Sequence, residues 1–337
     1  WEHRGKLPGE WHLTADIEYA NEKLFFEEFG EVAEDYNRDK TVSTLMLRRN
    51  WEKLNLVGTA RYTKDLEDND FQMLHRLPEL GLGLARYRLG DTPFYAGLES
   101  YATRFWRDKG EDGERIYLKP SLSAAFMPGS WLEIASEVAL HERLYNAESE
   151  GDEKFVPEFS LGLATRMVKS FDANLWGIDR LQHSIEPKVV YTYVPDETQD
   201  DLPLFDLYDR IESQNDIGYA LVNRLIARST TADGSSLYRE IFNLRLSQSY
   251  DIDEGRHNHS GDDQPFSDVR VEMDFKPSQN VSLAVDSRIP VYGASRFRTL
   301  SASASVKDDA GNAVKVQYSY KGEDFADTGP DEDLISV

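Results

Sequence analysis

The side chains of this chain that could do chemistry are charged, amide and hydroxyl groups set two residues apart in otherwise apolar runs. Asn243, Arg245 and Ser247 alternate with Leu244 and Leu246, and Arg270, Glu272 and Asp274 alternate with Val271 and Met273. Arg61 stands in the same setting, between Ala60 and Tyr62. A guanidinium in such a row can hold phosphate or carboxylate through paired hydrogen bonds, and an amide or hydroxyl can hold a sugar hydroxyl. This is binding chemistry spread along a surface, with no bond broken. The sequence has no Gly-x-Ser-x-Gly, no P-loop and no His-Glu-x-x-His. His257 and His259 lie among Asp251, Asp253, Asp262 and Asp263, but their spacing fits neither a calcium loop nor a zinc site. Nothing in the spacing around His141 or His183 supports a serine nucleophile. No catalytic residue, metal site or cofactor is therefore expected.

Side chains with a period of two belong to β-strands, whose successive residues point to opposite faces. The clearest run puts Trp11, Leu13, Ala15, Ile17 and Tyr19 on one face and His12, Thr14, Asp16 and Glu18 on the other. Val314, Val316, Tyr318 and Tyr320 likewise oppose Lys315, Gln317, Ser319 and Lys321. Fifteen such segments are legible, most of them about nine to twelve residues long, the length a tilted strand needs to cross a bilayer. The least regular covers 219–228. The gaps between segments alternate short and long. Short gaps carry turn pairs such as Pro128-Gly129, Asp233-Gly234 and Ala310-Gly311, whereas 20–40, 64–78, 104–114, 142–154, 195–218 and 251–266 are long. The connection 167–182 is longer than this parity predicts, and 290–295 is shorter. Alternation in the strands together with alternation in the gaps predicts an all-β, antiparallel transmembrane β-barrel with tight turns at one end and long loops at the other.

Composition fits this reading. No stretch of eighteen apolar residues predicts a membrane helix, and a negative mean hydropathy suits strands that are half polar. The net charge of −23 argues against nucleic acid. About two thirds of the 61 acidic residues fall in the long gaps and the tail 322–337, which would start another, and this suits solvated outer loops; divalent-ion bridging to anionic headgroups is the sharper reading of the same charge. Cysteine is absent. Trp1–Arg4 reads as the tail of a strand. Fifteen is an odd count where bacterial barrels have an even one, so residues 1–337 read as a single-domain interior piece of a larger barrel, open as given.

One stretch carries a family resemblance. It runs Arg180-Leu181-Gln182-His183-Ser184-Ile185-Glu186-Pro187-Lys188-Val189-Val190-Tyr191-Thr192-Tyr193-Val194-Pro195, followed by Gln199, Leu202-Pro203, Phe205-Asp206 and Asn223-Arg224. It resembles the barrel domain of the LptD (OstA) family of lipopolysaccharide-assembly proteins. Arg76-Leu77-Pro78-Glu79-Leu80, Lys119-Pro120-Ser121-Leu122 and the segment from Phe25 to Gly30 are also similar to the family. The resemblance implies an outer-membrane barrel of about 26 strands. It implies an LptE-like lipoprotein plug, a periplasmic LptA-like bridge that docks on an N-terminal domain outside this chain, outer-membrane lipid around the wall, and the barrel-assembly machinery during biogenesis. Its cargo is lipopolysaccharide, whose lipid leaves by a lateral gate that is expected to lie outside this chain.

Site expectations follow from both readings. Arg61, Glu186, Lys188, Asn223, Arg224, Arg228, Asn243, Arg245 and Arg270 are expected to face the lumen, along the lipopolysaccharide path or against the plug. Internal ion pairing is the plainer role for Arg224 and Arg228. Pro187 cannot donate a ladder hydrogen bond, so a local irregularity is expected beside it. The loop after Val194 is unusually apolar for a solvated segment, so Leu202, Pro203, Phe205 and Asp206 are expected to fold inward. Trp11, Tyr19, Trp51, Tyr62, Trp131 and Tyr193 lie at or near strand ends and are expected at the membrane interfaces, with ordinary strand propensity as the plainer alternative. A passive porin-type channel would need the same alternation. A soluble, acidic all-β binding protein would lack the parity of the gaps.

Overall fold

The computed structural model describes every residue except 21–22, 26–38, 67–72, 148–152, 176, 232, 257–263, 294–295, 309, 323–331 and 337. His257, His259 and most of the segment from Phe25 to Gly30 lie outside the described residues. The chain is all-β and antiparallel, the strand meander of a transmembrane β-barrel. Its strands are β1 Glu2–Leu7, β2 Trp11–Asp16, β3 Lys40–Asn50, β4 Leu54–Asp65, β5 His75–Arg88, β6 Phe94–Trp106, β7 Gly113–Phe126, β8 Leu132–Ala147 and β9 Glu153–Thr165. They continue with β10 Met167–Leu175, β11 Ile178–Val194, β12 Gln214–Thr230, β13 Ser236–Asp251, β14 Val269–Phe275, β15 Val281–Ile289, β16 Thr299–Lys307, β17 Ala313–Lys321 and β18 Glu332–Ser336. No helix among the described residues is long and apolar enough to cross a membrane.

Three of these strands exceed the fifteen expected. β1 extends the short N-terminal tail and pairs with β2, Glu2 opposite Asp16. β18 pairs with β17. β10 occupies the connection that looked too long. A single residue, Arg166, separates it from β9, and both pair with β11. β10 matches only the first half of β11, with Met167 opposite Ile185, so β11 is one long strand bordered by two shorter ones. This arrangement restores the parity of the gaps. β11 also runs through Pro187 without a break. A register shift of the kind expected beside a proline occurs in β5 between Arg76 and Glu79, around Pro78, a residue with no N–H for the ladder.

Contacts divide the chain into two compact units, and each shows the same two-faced construction. The first comprises 1–124, 137–159 and 194–213. Across its strands the register aligns Thr14, Met46, Thr59, Glu79, Thr103 and Arg115 in one transverse row. The neighbouring row, on the opposite face, reads Leu13, Leu47, Gly58, Leu80, Ala102 and Ile116. The second unit comprises 125–136, 160–193 and 214–337. There Arg245, Glu272, Asp286, Ser301 and Ser319 share a row, and Leu244, Met273, Val285, Ala302 and Tyr318 form the next. Register therefore carries the sequence alternation sideways from strand to strand.

Burial is inverted relative to a water-soluble protein. Leu80, Ile116, Leu122, Val138, Leu140 and Phe155 are exposed, while Thr103, Arg115, His141, Arg143 and Asp209 are buried. Apolar side chains that stay out of the core suit contact with hydrocarbon. The polar face encloses what interior the first unit has, including Phe105, Tyr117, Val156, Leu202 and Pro203.

Candidate functional site

Two features stand out on the polar faces, one in each unit. In the first unit it is the loop 195–213, which lies on the polar face of the strands. Leu202 and Pro203 are buried there. The Phe205 ring stacks on Phe105 with centroids 4.4 Å apart, and Tyr208 packs 5.0 Å from Tyr117 and 5.5 Å from Tyr101. Strand register puts Tyr101 opposite Tyr117, and Thr103 opposite Arg115, so the seat for these rings is built by β6 and β7.

Charge fixes the loop. Arg115 Nη1 donates to Asp206 Oδ1 at 2.5 Å and to Asp209 Oδ1 at 2.7 Å, and Nη2 donates to Asp206 Oδ2 at 3.0 Å. Arg143 Nη1 donates to the Asp209 carbonyl at 2.9 Å and to Gln199 Oε1 at 2.7 Å. Asp209 also accepts from the Tyr145 hydroxyl and from the backbone N–H groups of Phe205 and Asp206. Asp206 in turn caps the short 3-10 turn Leu207–Asp209. Two buried cations thus face two carboxylates, and the cluster is close to neutral, the condition under which buried charge is tolerated. Burial pushes the Asp206 carboxyl upward, but the hydrogen bonds and charge of Arg115 outweigh it, and the group is held below its ordinary value. Arg76, 3.1 Å away, pulls in the same direction.

Below this clamp, the Tyr117 hydroxyl meets His141 Nδ1 at 2.9 Å. His141 Nε2 meets Glu158 at 2.6 Å, and Glu158 accepts from Lys119 at 2.8 Å. A tyrosine, histidine and carboxylate in line invite comparison with a catalytic relay. Tyr117 is buried beneath Tyr208, so the chain of hydrogen bonds serves to order the wall under the loop.

The second unit carries an open trough of about 480 Å³ on its polar face, lined in part by Lys188, Arg245, Arg270 and Arg288. Its floor is made of small residues from facing strands, Gly218 opposite Ser249 and Ala220 opposite Ser247. Arg270 pairs with Glu272 at 3.1 Å and Asp286 at 2.9 Å, and Arg245 approaches Glu272 at 3.5 Å.

The structure brings some of the expected site residues together and separates others. Lys188, Arg245 and Arg270 share the trough. Arg224 lies 3.8 Å from Glu186 and 3.9 Å from Glu240, ion-pair distances too long for hydrogen bonds, and Glu186 is also held by Arg166 at 3.1 Å. Asn243 faces Arg224 across the ladder. Asn223 does not join them: it pairs with Leu244, so strand alternation turns it to the opposite face from Arg224. Arg228 has the same parity as Arg224, and its Nε is buried with no partner among the described residues. Arg61 belongs to the polar face of the first unit, opposite Thr44 and Arg76. Among the aromatics, Tyr19, Trp131, Tyr62, Tyr193 and Trp51 are exposed. Trp11 meets Trp51 edge to face at 6.3 Å, with the Arg49 guanidinium over both rings, beside the β3–β4 turn. Tyr62 stacks on His75 near the long-loop ends of β4 and β5.

Arg115, Arg143, Gln199 and Asp209 were absent from the expected site. Arg115 and Arg143 look like ordinary polar-face positions, and their partners lie 91 and 66 residues away in sequence. One signal was available: Asp206 and Asp209, three apart in an apolar loop, require buried cations if that loop folds inward.

A family model described as LptD, LPS transport system D, matches residues 1–333. The LPS-assembly protein LptD of Chromohalobacter salexigens is 24% identical over 99% of this chain and 48% of its own length. That of Alkalilimnicola ehrlichii is 27% identical over 61% of this chain and 28% of its own. That of Nitrosospira multiformis is 30% identical over 46% of this chain and 19% of its own. The chain spans less than half the length of these curated relatives.

Proposed function

The chain belongs to the LptD family, and we propose from that premise that it forms a run of outer-membrane barrel wall along which lipopolysaccharide is moved into the outer leaflet. The carrying observation is the inverted burial: an apolar face exposed as for hydrocarbon, and an opposite face of ion-paired and hydroxyl side chains. Such a wall keeps acyl chains from water and sugars from hydrocarbon without any bond being made or broken. The polar face is the lumenal one. Arg61, Arg224, Asn243, Arg245 and Arg270 line the path, and the loop 195–213 folds onto it. An LptE-like plug occupies the lumen, and an LptA-like bridge delivers cargo from the periplasm. The long acidic loops face the cell exterior of a Gram-negative bacterium, and aromatics such as Trp11, Trp131, Tyr62 and Tyr193 mark the two membrane interfaces.

The test is replacement of the native gene by one encoding Arg245→Glu and Arg270→Glu, with the lipopolysaccharide that reaches the cell surface measured against total lipopolysaccharide. The expected result is a fall in the surface fraction with normal insertion of the protein, and low conductance of the purified parent protein in planar bilayers. Unchanged delivery together with a large open-channel conductance would overturn the proposal in favour of a porin.

A further inference from the structure

We infer that the trough lined by Lys188, Arg245, Arg270 and Arg288 is a binding station for a phosphate-bearing saccharide, a subsite within the lumenal path; the inference rests on that path being lumenal. The chain as a whole carries −23, yet this trough gathers four cations and one lining carboxylate. That carboxylate, Asp268, is already committed to Arg298, at 2.5 Å and 3.3 Å. Glu272 and Asp286 engage Arg245 and Arg270. Lys188 and Arg288 have no ion-pair or side-chain hydrogen-bond partner among the described residues, and both are exposed. Arg288 also stands directly opposite Arg270 in the β14–β15 ladder. Like charges facing each other across a strand pair are unfavourable, and only the Arg270 side is balanced by protein carboxylates. An anion beside Arg288 would relieve that repulsion.

The floor says what else the ligand carries. Gly218, Ala220, Ser247 and Ser249 keep the strand surface low and offer hydroxyls. Guanidinium and ammonium groups over serine hydroxyls match a sugar ring bearing a phosphate. The trough is open, as a station passed in transit must be.

The test uses the complete protein that carries this chain, purified in detergent. Binding is measured for a deacylated, phosphorylated core oligosaccharide, for the same oligosaccharide after chemical removal of phosphate, and for inorganic phosphate. The phosphorylated saccharide is expected to bind at least about tenfold more tightly than either of the others. Lys188→Gln and Arg288→Gln are each expected to remove roughly tenfold of that preference, while Lys188→Arg and Arg288→Lys retain it. Arg180→Gln, an exposed arginine paired with Asp172 away from the trough, serves as the control. Equal binding with and without phosphate, or no effect of the glutamine variants on a correctly folded protein, would overturn the inference. Inorganic phosphate binding as tightly as the saccharide would also overturn it, by making this a free-anion site. A photocrosslinker at Arg245 in cells separates this failure from failure of the path itself. Lipopolysaccharide adducts with phosphate-independent binding leave the path standing and remove only the station. Absence of adducts removes both.

Discussion

Removing the Asp209 carboxylate should free the loop 195–213 while leaving the strands intact. The side chain is fully buried and accepts four hydrogen bonds, from Arg115 at 2.7 Å, Tyr145 at 2.7 Å, Phe205 N at 2.6 Å and Asp206 N at 2.7 Å. Asp209→Ala would take the acceptor from the Tyr145 hydroxyl and the Phe205 and Asp206 N–H groups, and reduce the buried cluster to Arg115 and Arg143 against Asp206 alone. Breaking a buried ion pair by removing one partner costs about 3–5 kcal/mol, which multiplies the open-to-closed ratio of the loop by roughly two to four decades. The ladder hydrogen bonds of β6, β7 and β8 do not involve this residue, so the cost falls on the loop. Hydrogen exchange of the complete purified protein reads this directly. Peptides covering 199–213 should lose protection in Asp209→Ala, and strand peptides should keep it. Asp201→Ala, at an exposed carboxylate of the same loop, should change neither. Wild-type protection of 199–213 in Asp209→Ala would refute the idea that this network closes the loop.

Other outcomes follow from the same structure. The Asp206 carboxyl is depressed in the folded state, so its contribution to loop closure is fully present above its ordinary value near 3.8 and is lost as pH falls through the lower folded value; protection of 199–213 should be flat from neutral pH down to about 4 and decline below it, and a decline beginning at pH 6 would contradict this. In the β12–β13 turn, Asp233 is lowered to about 2 by hydrogen bonds from Thr231 and Ser235, so its carboxylate resonance should titrate near that value and return to the ordinary range in Thr231→Val. Leu244→Arg places a cation on the apolar face and should cost about 2–4 kcal/mol in membrane insertion, whereas Arg245→Leu, one residue on, should assemble normally; heat-modifiable migration on gels compares the two. A Cβ at Gly113 would sit 2.7 Å from Ala147 Cβ and 2.8 Å from the Asn146 carbonyl, so Gly113→Val should lower the temperature at which the folded form is lost, while Gly58→Ala, where the nearest atom is 3.5 Å away, should not.

The strand faces were legible in the sequence because a period of two needs no partner to be seen. Leu244 and Arg245 announce their faces by residue type, and register only extends the pattern to their neighbours. β10 was not legible. A single residue, Arg166, divides it from β9, and Lys169 shares a face with Met167 and Phe171, so the apolar and polar residues do not alternate and the segment reads as part of a long connection. Asn223 was misassigned because it was grouped by polarity with Arg224, one residue away, although adjacent strand residues must face opposite ways. The loop clamp was half legible: density of apolar residues marked Leu202, Pro203 and Phe205, but the identity of Arg115 and Arg143 as their anchors depends on contacts across 66 to 94 residues, which local pattern does not encode. The trough is a property of register. Lys188 and Arg288 meet Arg245 and Arg270 only once four strand pairings are fixed.

The central claim, that the polar strand face is the lipopolysaccharide path, is tested most directly by placing a photocrosslinker at each position from 243 to 247 of the complete protein in cells. Adducts with lipopolysaccharide at Asn243, Arg245 and Ser247, and none at Leu244 and Leu246, are the predicted result. Adducts without a period of two, or none at any position in a properly inserted protein, would contradict it.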